Sequence, residues 1–331
     1  MYNKHMNNAT KIIDYLSRNQ ASVNEIAEYL SISRQALHRI LNKLITDGAI
    51  VKIGSPPKVY YSLPTRPNLQ VRDITYYNMS NETEKLIEDN FLYITSFGRK
   101  ESGLNGFIIW CTERKQDISK MARLYSDTMR KYESYRESGL INGMVKMRST
   151  FNDVALDEIF YLDFYSIEIF GKTKLGQLLL FAKQSQDKIL MDQLIRSIRP
   201  DVVKVIETYS IDGVGFIPPT VKRERQLMKQ VEKTLDLPNR TVSLVKVKTP
   251  VIIPQKTLNK LEDRVINARE TIVVDDLGVY ENILLIDDAV GSGATLNEVA
   301  KKIRQKGICK GKIIGLAITG SVKEFDVISE V

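Results

Sequence analysis

The residues with the clearest chemical spacing run Glu281-Asn282-Ile283-Leu284-Leu285-Ile286-Asp287-Asp288-Ala289-Val290-Gly291-Ser292-Gly293-Ala294-Thr295. An apolar strand ends in two adjacent carboxylates and a Gly/Ser/Thr loop, and a helix-periodic stretch follows at once. In a parallel sheet this is the crevice at the carboxyl end of a strand, where ligands bind. The N–H groups of the loop and of the first helical turn can cradle a phosphate. Asp287 and Asp288 can accept hydrogen bonds from ribose hydroxyls or hold, through water, a divalent cation such as Mg2+. A sugar phosphate is therefore expected at Asp287, Asp288, Ala289, Gly291, Ser292, Gly293, Ala294 and Thr295.

The elements that must position this site lie upstream and downstream of it. Gly213 to Pro219 reads as an apolar strand running into a proline-rigid turn, and a helix through Leu235 follows. Between them, Lys222, Arg223 and Arg225 can clamp a phosphate or pyrophosphate; a salt-bridged helix surface is the alternative use of such residues. Helical periodicity marks Lys174 to Ser185 and Asp187 to Ile198, while Val202 to Ile206 fits a short strand or a helix end. Thr241 to Lys246 reads as a strand. Gln255, Leu258, Arg264 and Asn267 punctuate a polar stretch suited to a cover. Ile283 to Ile286, Thr295 to Gln305 and Lys312 to Thr319 then read as strand, helix and strand. This order predicts an open, doubly wound α/β sheet with a parallel core over residues 165–331.

A different chemistry is written at the other end. Ser22 followed by Glu25 is a capping box before a short helix with Ile26, Ala27 and Leu30 inward. Ser31-Ile32 is a tight turn. Ser33 caps a third helix with Ala36, Leu37, Ile40, Leu41, Leu44 and Ile45 on its apolar face. Its other face carries Arg34, Gln35, His38, Arg39, Asn42 and Lys43. Ala49 to Ile53 and Lys58 to Leu63 read as a hairpin with Lys52 and Lys58 near its tip. Residues 7–63 resemble the winged-helix family of DNA-binding domains. That resemblance implies duplex DNA as partner, with the third helix at base edges and Lys52 and Lys58 at phosphate. Residues 1–63 hold eight Lys and Arg against four Asp and Glu. Two-fold recognition would require a homodimer. A winged helix used for protein docking or dimerisation is the competing use.

Between the ends, residues 66–164 read as a mixed linker or oligomerisation region after a winged-helix domain of residues 1–65. Residues 82–90 and 117–136 are helix-periodic. Gly98 to Gly106 is a Gly-rich polar loop, for which a hairpin connection is favoured over a ligand loop, before a strand or buried segment at Phe107 to Cys111. Tyr125, Tyr132 and Tyr135 lie on a charged helix, where burial competes with stacking on bases.

Composition narrows the classes. The chain has 331 residues, 43% hydrophobic, with a net charge of +8, which suits nucleic acid or a phosphorylated ligand. Two cysteines, Cys111 and Cys309, cannot build a cysteine-based zinc site and read as buried thiols. His5 and His38 are the only imidazoles, so the C-terminal region has no histidine triad or metal cluster. No apolar run reaches membrane-span length, and Met1-Tyr2-Asn3-Lys4-His5 has no signal-peptide core behind it. A cytoplasmic protein without membrane contact is expected.

The stretch Leu284 to Thr295 also resembles the phosphoribosyl-pyrophosphate motif of type I phosphoribosyltransferases. The resemblance implies that Asp287 and Asp288 contact ribose hydroxyls and that Gly291 to Thr295 bind the 5′-phosphate. It further implies Mg2+ as cofactor and roles for Asp287, Asp288, Lys222, Arg223 and Arg225 in phosphoribosyl transfer. Within that family, Lys174 to Lys183, Phe216 to Arg225 and Gln255 to Asn267 are similar to the ComF-like branch over residues 165–320. The chain departs from the branch in lacking its paired-cysteine module. It also has a longer glutamine-to-arginine interval, and Gly291-Ser292 in place of a threonine pair. Gly291 stands where 6-oxopurine enzymes place an acid, so hypoxanthine or guanine is not the expected acceptor. The functions implied are phosphoribosyl transfer to an unidentified acceptor beside a DNA-binding head, a non-catalytic ligand-responsive transcription regulator, or a nucleotide-consuming defence or toxin effector.

Overall fold

The computed structural model describes residues 7–64, 79–221, 223–247, 249–251, 253 and 257–321. The chain divides into two compact units, residues 1–76 and 77–331.

In the first unit, α1 (Asn8–Leu16), β1 (Ala21–Ser22), α2 (Val23–Leu30), α3 (Arg34–Thr46), β2 (Val51–Ser55) and β3 (Lys58–Ser62) follow in order. The Ser22–Glu25 capping box is formed, with the Glu25 carboxylate accepting from the Ser22 N–H at 2.6 Å. Ser33 Oγ accepts from the Ala36 N–H at 3.2 Å, which starts α3. The turn between α2 and α3 is made by Ser31 in the left-handed region, φ 51°. Ile12, Leu16, Ile26, Leu37, Leu41, Leu44, Ile50 and Tyr61 form one core. Ala36, expected inward, is exposed, and Ile40 and Ile45 are half-buried. The buried stripe of α3 is thus the narrower set at positions 37, 41 and 44. The hairpin β2–β3 takes β1 as its third strand, in the order β1-β3-β2. Near its turn, β2 needs Gly54, whose φ is +81° and where an added Cβ would lie 2.4 Å from the Lys58 carbonyl oxygen.

The second unit opens with α4 (Asn81–Asn90), the hairpin β4 (Leu92–Ile94) and β5 (Lys100–Ser102), α5 (Gly103–Glu113) and α6 (Ile118–Glu133). Phe107 to Cys111 is therefore helical, not a strand. A five-residue apolar run has no periodicity to separate the two, and α5 is apolar around most of its circumference because it is buried on most sides. Phe91, Phe107, Trp110, Tyr125 and Phe170 meet there with ring centroids 4.9–6.4 Å apart. Tyr125 and Tyr132 are buried. Tyr135 lies beyond α6 and packs on Phe164.

Next come β6 (Arg136–Glu137), β7 (Leu140–Asn142), α7 (Met144–Thr150), β8 (Glu158–Phe164), β9 (Ser166–Ile167), β10 (Gly171–Lys172), α8 (Lys174–Ser185), α9 (Lys188–Thr208), β11 (Gly213–Phe216) and α10 (Leu227–Leu235). The unit closes with β12 (Arg240–Thr241), β13 (Leu244–Lys246), α11 (Leu261–Thr271), β14 (Ile272–Val274), β15 (Ile283–Val290), α12 (Ala294–Lys306) and β16 (Ile313–Gly320). Val202 to Ile206 lies within α9. Thr241 to Lys246 is not one strand: β12 pairs parallel with β11, while β13 pairs antiparallel with β14.

One seven-stranded sheet runs β12-β11-β15-β16-β8-β7-β6. Its neighbours from β12 to β8 are parallel, and β7 and β6 add an antiparallel edge. The expected boundary at residue 164/165 thus falls inside one unit, because β6, β7 and β8 extend the same sheet as β15. On β15, Leu284 and Ile286 join the core formed with α8, α9 and α10. The alternate residues Ile283 and Leu285 are equally buried. A parallel strand covered on both faces reads as a continuous apolar run. Among the described residues no helix is long and apolar enough to cross a membrane.

Candidate functional site

From β11 the chain moves to β12 on one side, and from β15 it moves to β16 on the other. The crevice between β11 and β15 is therefore the point where strand order reverses, at which open α/β sheets bind ligands. A cleft of about 180 Å³ lies there. It is lined by Ile217 to Val221 and Arg223 after β11, by Asp287 to Leu296, and by Lys183 and Arg264. The structure thus brings together Asp287, Asp288, Ala289, Gly291, Ser292, Gly293, Ala294, Thr295 and Arg223. Lys222 and Gln255 lie outside the described residues.

The acid pair is not beyond the strand, as expected, but on it. β15 continues to Val290, and Asp287 is in register with Ala317 of β16. Successive side chains on a strand point to opposite faces. Asp288 continues the Leu284–Ile286 face, which packs on α8, and there it meets Lys183: Nζ lies 2.6 Å from Oδ2. Asp287 continues the other face, and its Oδ1 accepts from the Asp288 N–H at 2.8 Å. Burial first, and then the Asp288 charge, push the Asp287 carboxyl up to about 7. The pair is two carboxylates in different environments.

The loop beyond them starts α12. Gly293 is its N-cap, in the left-handed region at φ +82°. A Cβ there would lie 2.3 Å from Met147 Sδ of α7. Ser292 is buried, and its Oγ accepts from the Ala294 N–H at 3.4 Å. The first turn of a helix presents N–H groups with no intrahelical acceptor, so this end of α12 offers donors to an anion in the cleft. Asn297 secures the helix from behind. Its side chain accepts from the Ala155 N–H and donates to the Asp153 carbonyl, both at 2.9 Å.

The basic residues separate. Arg223 is half-buried and lines the cleft. Arg225 is exposed and does not: its N–H donates to Gln186 Oε1 at 2.9 Å and its Nη1 to the Gln186 carbonyl at 2.8 Å. It fastens the loop to the end of α8. Sequence reasoning gave no site role to Lys183 or Arg264. Lys183 follows fully buried Leu179 by four residues, so it extends the apolar stripe of α8. That placement is the signal that marks it. Arg264, in the stretch read as a cover, donates from Nε to the Leu258 carbonyl at 2.7 Å, and burial holds its guanidinium below its ordinary value.

Both carboxylates of the pair already have partners. The Asp288 carboxylate is neutralised by an ammonium, and one oxygen of Asp287 is held by a backbone N–H. Among the described residues no three His, Cys, Asp or Glu gather into a metal site. Cys111 and Cys309 are buried thiols, and burial pushes Cys111 up to about 12.

In the first unit, Arg34, Gln35, His38, Arg39, Asn42 and Lys43 are all exposed along α3, opposite buried Leu37, Leu41 and Leu44. Lys52 and Lys58 are exposed on the hairpin, Lys58 pairing with Ser55 beside the turn. The MarR family model matches residues 8–58. Those residues form a MarR-like winged helix-turn-helix domain. No curated protein matches the chain. The family match ends in the hairpin, so the second unit is read from its own geometry.

Proposed function

We propose that the protein is a duplex-DNA-binding transcription regulator whose second unit binds phosphoribosyl pyrophosphate or a related ribose phosphate. The observation that carries the DNA reading is the exposed polar and basic face of α3 within a MarR-like domain. Arg34, Gln35, His38 and Arg39 reach base edges in the major groove, and Lys52 and Lys58 contact backbone phosphate. A homodimer presents two such heads to a two-fold operator. Support for the ligand comes from the cleft at the β11/β15 switch point. There, carboxylates suited to ribose hydroxyls, helix N–H donors suited to a phosphate and the Arg223 cation converge. Selection of genomic DNA fragments with the full-length protein tests the reading. Enrichment of a defined sequence is expected. Retention no greater than for a non-binding control protein would favour a docking role for the winged helix.

Phosphoribosyl transfer is the second reading. It is favoured by Asp287, whose raised carboxyl can take a proton from an acceptor N–H near neutral pH. Incubation with labelled phosphoribosyl pyrophosphate and pooled bases, with mass detection of nucleotides and pyrophosphate, separates the two. Binding without turnover is the regulator's outcome.

A further inference from the structure

Lys183 stands on the buried stripe of α8, four residues after Leu179 and one after Ala182, both fully buried. Its ammonium and the Asp288 carboxylate are 2.6 Å apart, with side chains 18% and 15% exposed. A pair so withdrawn from water is retained only in close geometry, because both ions give up hydration to form it. The turn that follows is anchored to the basic loop, Gln186 accepting two hydrogen bonds from Arg225. The end of α8 therefore ties both walls of the cleft together and fixes where the ammonium sits.

The consequence is electrostatic. Asp288 is the carboxylate that faces α8, and a cation already occupies it. An ammonium is a compact point charge with three donors. It can keep Asp288 and still turn a donor to a phosphate oxygen of a ligand in the same cleft. A divalent cation would have to enter beside it against like-charge repulsion, with Arg223 and Arg264 on the same walls.

We infer that Lys183 takes the place of the divalent cation at this site, so that the cleft binds phosphoribosyl pyrophosphate without metal. The inference rests on the ligand reading above, and the two fail differently. Calorimetry of the full-length protein with phosphoribosyl pyrophosphate is run in excess chelator and again with millimolar Mg2+. The wild type is expected to bind in both, with affinities within about threefold, since the ammonium supplies the charge. Lys183→Met keeps the aliphatic stem, so its melting temperature checks the fold. In chelator it should bind about tenfold or more weakly, with Mg2+ restoring part of the loss, while Lys183→Arg stays metal-independent. Wild-type binding that appears only with Mg2+ overturns the inference and leaves the ligand reading intact. So does Lys183→Met matching the wild type in chelator. Absence of wild-type binding in both buffers overturns the ligand reading, and the inference with it.

Discussion

Two neighbouring aspartates have become different chemical groups because a strand turns their side chains to opposite faces. Asp288 meets an ammonium. Asp287 meets burial and its neighbour's charge, and its carboxyl is raised to about 7. The sign of the consequence is fixed. The folded protein holds a proton that the unfolded chain, with an ordinary carboxyl near 4, releases. Asp287 is therefore compatible with full stability below about pH 4, and stability falls as pH climbs from about 4 to about 7. Asp287→Asn keeps an acceptor for the Asp288 N–H and carries no charge. Without ligand it should nearly equal the wild type at about pH 4 and exceed it at pH 8 by on the order of 2 kcal/mol or more in urea unfolding. Equal stability at both pH values would show that the carboxyl is not raised. The basic loop makes a second contrast. Arg223→Ala should weaken phosphoribosyl-pyrophosphate binding about tenfold or more, and Arg225→Ala by less than about threefold, because only Arg223 lines the cleft. Calorimetry with both variants checks this. The sequence of strand, acid pair, Gly/Ser loop and helix is legible because its residue types and order are contiguous. Lys183 was not, because its partner lies 105 positions away in sequence. Arg225 stands apart from the cleft lining and holds Gln186, and in sequence a strand-exit cation looks the same whether it faces a ligand or a glutamine.

At the scale of elements, the capping serines were readable because Ser22 and Ser33 act within three residues of themselves. β15 was read short. Its two carboxylates look like a strand end, yet pairing with β16 carries the strand on to Val290. α5 was hidden for the opposite reason, since an all-round apolar helix carries no amphipathic period. The start of α12 makes a third prediction. Gly293 combines φ +82° with a Cβ position 2.3 Å from Met147 Sδ. Gly293→Ala should cost about 1–3 kcal/mol in thermal unfolding of the second unit and weaken binding of the phosphate-bearing ligand. Unchanged melting would show that the loop adopts another conformation.

For the whole molecule, the net charge of +8 is informative only where it coincides with a surface that can use it. Eight positions on α3 and the hairpin provide that surface, and phosphate contacts made there must weaken with salt. Arg34→Ala combined with Arg39→Ala should abolish sequence enrichment and leave salt-sensitive binding, whereas Lys52→Ala combined with Lys58→Ala should flatten the slope of log affinity against log salt by up to about 2. Titrations of labelled duplex at several salt concentrations read both effects. The middle region was the least legible part of the chain. Of its strands only β8 pairs with β16, which lies more than a hundred residues downstream, and the short β7 and β6 are added in turn beyond β8.

On the function proposed above, one chain joins a DNA reader to a sensor of phosphorylated ribose. The most direct test is the affinity of the full-length protein for its selected duplex, measured by fluorescence anisotropy at fixed salt, with and without saturating phosphoribosyl pyrophosphate. A shift of about fivefold or more in either direction is predicted, reduced towards none in Asp287→Asn plus Asp288→Asn. A wild-type affinity that is the same at saturating ligand would contradict the account.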